Sequence, residues 1–427
     1  MWKINNYINQ IVSEGRKIYI WGTGRACKNF IFSFRGKDVP ITAVIDDLTV
    51  SKEEIYLKKY AIITSDEFLN KKDNAFVIVT TEEEMISKKL KLNGFREDLD
   101  YIVFSKLIVW GFTEKISDKQ INKPLINQMD VKITYACNFK CEYCYQADEN
   151  GNHQSKFLSK ENAERLIEFV RKLDDIFYIT LAGGEPFVYP YLQYLVEELT
   201  SLGNYISIIT NFSAAYEKIK ALILTAKDKL AVFNISVHLS QWKDIREFYA
   251  KLRQVLNLLE KENIQLSIRA TCVITEQNFE RVKKLDRAMN EKFPEVSFEI
   301  QREYHNSVYV IYSEEIEQFL KQRGLDVPVE SANKIDFYGQ KCWAGSKFFY
   351  IEADGEVRRC YTNQFNKNSY KLGNLLNIEE IKVYSEAMPC LSVHGGDCIC
   401  HPNFSALKIV SEQLASKEEL GKFYNNF

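Results

Sequence analysis

The chain has 427 residues, 46% of them hydrophobic and 27% charged, which is enough for two or three domains with buried cores. Its net charge of −2, with no block of one sign, argues against a nucleic-acid-binding surface. No apolar run approaches the roughly 20 residues that span a bilayer, and "MWKINNYINQIVSEG" reads as an amphipathic first helix rather than a secretory signal. A cytoplasmic protein without membrane or nucleic-acid partners is expected.

Residues 1–110 predict a small α/β domain. "KIYIWGTGRACKNFIF" is a strand entering a Gly-rich turn and an apolar-periodic segment, and "ITAVIDD", "AFVIVTT" and "DYIVFSK" supply further strands. Strand, turn, helix and acid come in the order of a dinucleotide-binding unit, with Gly22, Gly24 and Asp46 as candidate nucleotide contacts. Cys27 stands where a third glycine belongs, so an interaction module that binds no nucleotide fits the same stretch. Residues 111–130 lack periodicity and read as a linker.

From 131 to 330 strand and helix signals alternate for six cycles. The candidate strands are 131–135, 176–182, 205–210, 231–238, 264–274 and 296–302, separated by segments such as "ENAERLIEFVRKL" and "FYAKLRQVLNLLEK". Repeated βα units predict a partial (β/α)6 barrel with functional residues at the carboxyl ends of its strands. Residues 331–402, rich in Cys, Gly and aromatics, predict a small metal-stapled region, and 403–427, with "SALKIVSEQLASKEEL", a closing helix.

Ten cysteines in a long chain without a secretory signal point to metal or redox chemistry rather than disulfides. "CNFKCEYC" follows directly on the first barrel strand and directs Cys137, Cys141 and Cys144 toward one small volume. A closed zinc site wants a fourth ligand, but the nearest histidine is His153 and no second pair follows in this domain. A three-thiolate [4Fe–4S] cluster with one iron open to a non-protein ligand fits better. At the end of the second strand, "ITLAGGEP" supplies two glycines for close backbone approach, carbonyls and Glu185 as acceptors for a cation, and Pro186 as a strand end.

Together these stretches resemble the Cx3CxxC and GGEP motifs of the radical S-adenosylmethionine (radical SAM) enzymes, with Tyr143 as the aromatic before the last cysteine. The resemblance implies that S-adenosylmethionine chelates the open iron and that Gly183, Gly184, Glu185 and Pro186 meet its ammonium. It further implies that Tyr143, Asn211, Ser236 and Arg269 gather its ribose, carboxylate and adenine. Arg269 would pair with the carboxylate, although arginine in a strand also serves ordinary ion pairs. His238 reads as a packed or hydrogen-bonded histidine, and Cys272, facing opposite to Arg269, as a core thiol.

"KCWAGSKFFYIEADGEVRRC" resembles the opening of the SPASM and twitch auxiliary-cluster domains, its DG turn bringing Cys342 and Cys360 side by side. With Cys390, Cys398 and Cys400 the region has five cysteines, fewer than a complete SPASM domain. The resemblance then implies a reduced, twitch-like domain with one auxiliary [4Fe–4S] cluster, held by Cys342, Cys360 and two of the other three. A structural zinc knuckle is the alternative.

By resemblance, the activity is reductive cleavage of S-adenosylmethionine to a 5′-deoxyadenosyl radical that abstracts hydrogen from a substrate C–H. This is an oxidoreductase-type reaction assisted by the auxiliary cluster and fed by a reductant protein such as flavodoxin or ferredoxin. The amino-terminal domain leans the expected substrate toward a sugar or nucleotide-linked small molecule, with a ribosomally made peptide as the alternative. A non-catalytic iron–sulfur or zinc sensor is disfavoured, because it needs no cofactor pocket.

Overall fold

A computed structural model describes residues 8, 10–23, 27, 30–31, 40–47, 60–71, 74–81, 83–103, 127–144, 146, 155–305, 308–323, 325, 340–360, 371–390 and 410–414. The chain forms two compact units, one of residues 1–116 with 259–269 and 284–298, the other of the remainder.

In the amino-terminal part of the first unit, β1 (Lys17–Trp21), β2 (Ile41–Ile45), β3 (Ile62–Ile63), β4 (Ala75–Val79) and β5 (Tyr101–Val103) form a parallel sheet ordered β3-β2-β1-β4-β5. Unbroken apolar strands such as "KIYIW" and "AFVIV" suit a sheet buried on both faces. Ile18, Ile20, Val44 and Ile78 pack on one side, and Tyr19, Trp21, Ile45 and Val79 on the other. The short helix α1 (Ser65–Asn70) opens on a capping box: Thr64 Oγ1 accepts from Glu67 N at 3.2 Å, and the Glu67 carboxylate from Thr64 N at 2.9 Å. Helix α2 (Glu83–Leu92) buries Ile86 and Leu90 in the second cluster.

The barrel strands are β6 (Asn127–Thr134), β7 (Phe177–Gly183), β8 (Tyr205–Thr210), β9 (Leu230–Ser236), β10 (Ser267–Ile274) and β11 (Ser297–Arg302). Helices α3 (Lys160–Leu173), α4 (Leu192–Ser201), α5 (Tyr216–Ala226), α6 (Ile245–Lys261) and α7 (Phe279–Lys292) fall between the strands from β6 onward. β6 through β9 pair in parallel, and the six strands lie in sequence order within one sheet. α3 shows why these segments are helical. Ser159 caps its first turn by accepting from Asn162 N at 3.1 Å, and Ala163, Leu166, Ile167 and Val170 bury one apolar stripe.

Two expectations need correction. Residues 127–130, expected in a linker, are the first half of β6, whereas 104–126 lie outside the described residues. "NQMD" carries no apolar alternation, and it becomes strand because it pairs on both sides, with β7 and with β15 (Phe348–Ile351).

The second correction concerns the closing helix. A short helix α8 (Glu314–Lys321) and the hairpin β12 (Tyr304–His305) and β13 (Val308–Tyr309) follow the barrel. Then β14 (Gln340–Cys342), β15, β16 (Glu356–Arg358), β17 (Lys371–Asn374), β18 (Met388–Pro389) and β19 (Val410–Leu414) follow among the described residues. Residues 410–414 are thus a strand, antiparallel to β14, and the rest of 403–427 is outside the described residues. The apolar spacing suggested a helix, but β14 offers backbone groups that a strand can pair and a helix cannot. β15, β16 and β17 extend the barrel sheet beyond β6, while β18, β14 and β19 form a separate sheet.

Candidate active site

The three-cysteine loop starts where β6 ends. Cys141 is buried, and Cys137 and Cys144 are half-buried. Burial pushes the Cys141 thiol up to about 12, helped by Cys144 and Cys137, and burial likewise raises Cys137. The thiols are thus near enough to feel one another. Yet among the described residues no three Cys, His, Asp or Glu side chains are arranged around a single metal ion. A zinc ion would need each sulfur about 2.3 Å from one centre, whereas the irons of a cluster take thiolates one by one. Three thiols on one short loop are the donor set that a cluster with one open iron takes.

The loop is held from outside. Phe139 N donates to Cys137 Sγ at 3.4 Å, and Asn211 Nδ2 lies 3.7 Å from the same sulfur. Asn211 Nδ2 also donates to Asn138 Oδ1 at 3.0 Å, and Asn138 Nδ2 to Ser213 Oγ at 2.9 Å. Gln241 clamps Lys140 by donating to its carbonyl at 2.9 Å and accepting from its N–H at 3.4 Å.

The glycines of β7 act through this same backbone. Gly184 N donates to Thr134 O at 2.8 Å and Glu185 N to Ala136 O at 2.9 Å. A Cβ at Gly183, where φ is +145°, would lie 1.9 Å from Thr134 O, and one at Gly184 would lie 2.1 Å from Ala136 O. The close approach expected toward a ligand is here an approach to the root of the cysteine loop. Glu185 is fully buried, at 0% exposure. Its carboxylate accepts from Thr210 Oγ1 at 2.7 Å, Asn211 N at 2.6 Å and Phe187 N at 3.1 Å, tying β7 to the end of β8. Burial raises its pKa against the pull of those three donors. Pro186 begins the single 3-10 turn that Glu185 caps.

Tyr143 stacks on His238 with ring centroids 5.8 Å apart, and its hydroxyl lies 3.0 Å from His238 Nδ1. Burial holds the imidazole down to about 4, so it is neutral at physiological pH. Phe139 meets the same ring edge-on. The fold therefore gathers Cys137, Cys141, Cys144, Tyr143, Gly183, Gly184, Glu185 and Asn211. Ser236 ends β9 half-buried, and Arg269 is half-buried on the face of β10 opposite Cys272, which is core.

In the carboxy-terminal region Cys342, Cys360 and Cys390 share one cluster with Trp343, Phe348 and Tyr350. Burial pushes Cys342 up to about 12, opposed by Arg359 and reinforced by Cys390 and Cys360. Cys398 and Cys400 lie outside the described residues. In the amino-terminal domain, Asp46 accepts from the Thr23 hydroxyl. A Cβ at Gly22, φ +111°, would fall 2.5 Å from Thr81, and Gly24 is outside the described residues.

Residues 131–289 match the family model described as the radical SAM superfamily, and 342–397 match SPASM, described as an iron-sulfur cluster-binding domain. The chain carries a radical SAM domain followed by a SPASM domain. Among curated relatives, a probable GTP 3′,8-cyclase of Saccharolobus solfataricus is 32% identical over 120 residues, 28% of this chain and only 37% of that protein. A Saccharolobus islandicus counterpart matches with the same identity and coverage. Among solved structures, AdoMet-bound anSMEcpe has a TM-score of 0.40 at 18% identity, covering 70% of this chain and 94% of that one. Streptococcus suis SuiB bound to its precursor peptide SuiA has a TM-score of 0.42 at 15% identity, covering 70% and 76%. Likenesses at these scores carry no argument about chemistry.

The radical SAM domain and the SPASM domain also meet through residues that sequence reading missed. Tyr135, two positions before the first loop cysteine, donates its hydroxyl to Glu352 at the end of β15. The Glu352 carboxylate is 3.6 Å from Arg358 Nη1. Lys132 Nζ lies 5.2 Å from the Tyr135 ring centroid and 5.7 Å from that of Tyr350. Burial lowers its pKa while Glu352 raises it. Lys251 supports the radical SAM domain differently, donating to the carbonyls of Phe212 at 3.0 Å and Ala214 at 2.9 Å, so that the loop after β8 keeps its shape. A lysine inside the apolar strand "VKITYA" was a visible signal, but Glu352, Gln241 and Lys251 carried none.

Proposed function

We propose that the protein cleaves S-adenosylmethionine reductively and uses the resulting radical to abstract hydrogen from a small-molecule substrate, in an oxidoreductase-type reaction. The observation that carries this is the placement of Cys137, Cys141 and Cys144 on the loop at the carboxyl end of β6, whose root is hydrogen-bonded to the glycine end of β7. When bound, the [4Fe–4S] cluster and S-adenosylmethionine supply the 5′-deoxyadenosyl radical. Cys137, Cys141 and Cys144 hold the cluster, and the N–H groups directed at Cys137 Sγ stabilise its thiolate charge. Glu185 accepts three hydrogen bonds within the protein and keeps the Gly183–Gly184 turn in place, and the backbone carbonyls of that turn are assigned to the cofactor's ammonium together with Glu185. Tyr143, Ser236 and Arg269 remain the candidate contacts to the rest of the cofactor, and Asn211 is assigned to shaping the loop.

Cys342, Cys360 and Cys390, completed by Cys398 or Cys400, hold one auxiliary cluster. A nucleotide-linked or sugar substrate is supported by the β3-β2-β1-β4-β5 order of the amino-terminal sheet and by the GTP in the relatives' name. The deciding experiment is anaerobic reconstitution with iron and sulfide, then reduction with S-adenosylmethionine. About eight irons per chain and release of 5′-deoxyadenosine are expected, with cleavage abolished when the three loop cysteines become Ala. Bound zinc and no cleavage under any reductant would overturn the proposal. Cleavage stimulated by a precursor peptide and not by nucleotide sugars would move the substrate to the peptide alternative.

A further inference from the structure

Arg359 is a charged side chain in an apolar place. It is 1% exposed and heads the largest fully buried side chains of the described residues. Its guanidinium donates from Nε to Ala344 O at 2.8 Å, from Nη1 to Pro389 O at 2.8 Å, and from Nη2 to Met388 O at 2.7 Å and Cys342 O at 3.3 Å. Its Cζ lies 5.7 Å from the Tyr384 ring centroid. The acceptors have one feature in common. Cys342 bears the first thiol, Ala344 lies two residues beyond it, and Met388 and Pro389 lead into Cys390. Arg359 itself precedes Cys360. One cation therefore joins the three chain segments that bring Cys342, Cys360 and Cys390 together.

Only a planar fork of five donors can serve carbonyls from separate segments in this way, because a lysine ammonium is compact and offers three. The same guanidinium places a positive charge at the backbone of Cys342 and next in sequence to Cys360, where the thiolates of a bound cluster would carry negative charge.

We propose that Arg359 is a positioning residue of the auxiliary cluster, setting its three thiol-bearing segments and raising its reduction potential through a fixed positive charge. A nearby cation favours the more negative, reduced form. This rests on the reading that Cys342, Cys360 and Cys390 are ligands.

The test uses the full chain with Cys137, Cys141 and Cys144 changed to Ala, so that only the auxiliary cluster reports. Iron per chain and the midpoint potential, followed by electron paramagnetic resonance, are compared for Arg359, Arg359→Lys and Arg359→Met. Arg359→Lys is expected to bind less iron, with the remaining cluster close to the parent potential. Arg359→Met is expected to lose most iron, the remainder titrating at a lower potential. Parent iron and potential in Arg359→Met would overturn the proposal. If Arg359→Met fails to fold, Arg359→Lys decides: a potential well below the parent's, despite the retained charge, overturns the electrostatic role. Cys342→Ala in the same background separates the two readings, because full iron there removes the ligand assignment before Arg359 is at issue.

Discussion

Asp130 shows how much a single carboxyl in the barrel strand can weigh. Burial pushes it up to about 7 from an ordinary 3.8, although a hydrogen bond from Thr180 pulls the other way. The folded state therefore binds more protons than the unfolded state between those two values. The cost of ionising Asp130 is absent below 3.8, grows through that window and is complete above about 7. Asp130→Asn should accordingly gain on the parent by about 1.4 kcal/mol per pH unit across the window. Urea midpoints at a series of pH values check this, and a pH-independent difference would mean that Asp130 ionises normally. Glu185 is the opposite kind of acid. It too is raised by burial, but it accepts three hydrogen bonds and its charge is used to fasten two strand ends.

At the scale of elements, the glycine end of β7 and the root of the cysteine loop behave as one piece. Gly183→Ala drives a methyl into the Thr134 carbonyl that ends β6, Gly184→Ala drives one into the Ala136 carbonyl at the start of the cysteine loop, and Gly183 is also in a backbone region that L side chains avoid. Each is expected to destabilise the protein by about 2–4 kcal/mol and to reduce iron at the loop, as measured by denaturant unfolding and by iron analysis. The strands themselves were readable from alternation: β8 fell on 205–210, and β7, β9 and β11 came within a residue or two. The start of β6 was hidden, because "NQMD" is polar and becomes strand through its neighbours. Residues 410–414, expected in a closing helix, are strand for the same reason, since β19 answers to the open backbone of β14. Within the site the motif cysteines and glycines were readable, and what each touches was not. Glu185 and Asn211 are expected to meet the cofactor, and the hydrogen bonds by which they also fasten the cysteine loop to β8 were not readable.

Across the whole molecule, charge links the strand under the loop to the carboxy-terminal hairpin. Glu352 is 7% exposed, accepts from Tyr135 and stands between Lys132 and Arg358. Glu352→Gln removes one negative charge from beside buried Lys132 while Arg358 keeps Glu356, and should cost about 1–3 kcal/mol, the range for removing one partner of a buried polar contact. Tyr135→Phe should cost about 1 kcal/mol, the worth of one hydrogen bond. Thermal unfolding of the reconstituted protein ranks the two, and equal effects would mean that the hydroxyl, not the charge balance, matters. The pairing of β15 with β6 has a consequence for any attempt to divide the chain. Gln128 through Val131 are hydrogen-bonded partners of Phe348 through Ile351. Removing the carboxy-terminal region would leave β6 as a bare sheet margin, its N–H and C=O groups free to recruit the same strand of another chain. The radical SAM domain produced alone would then be prone to self-association along the very strand that presents its cysteines.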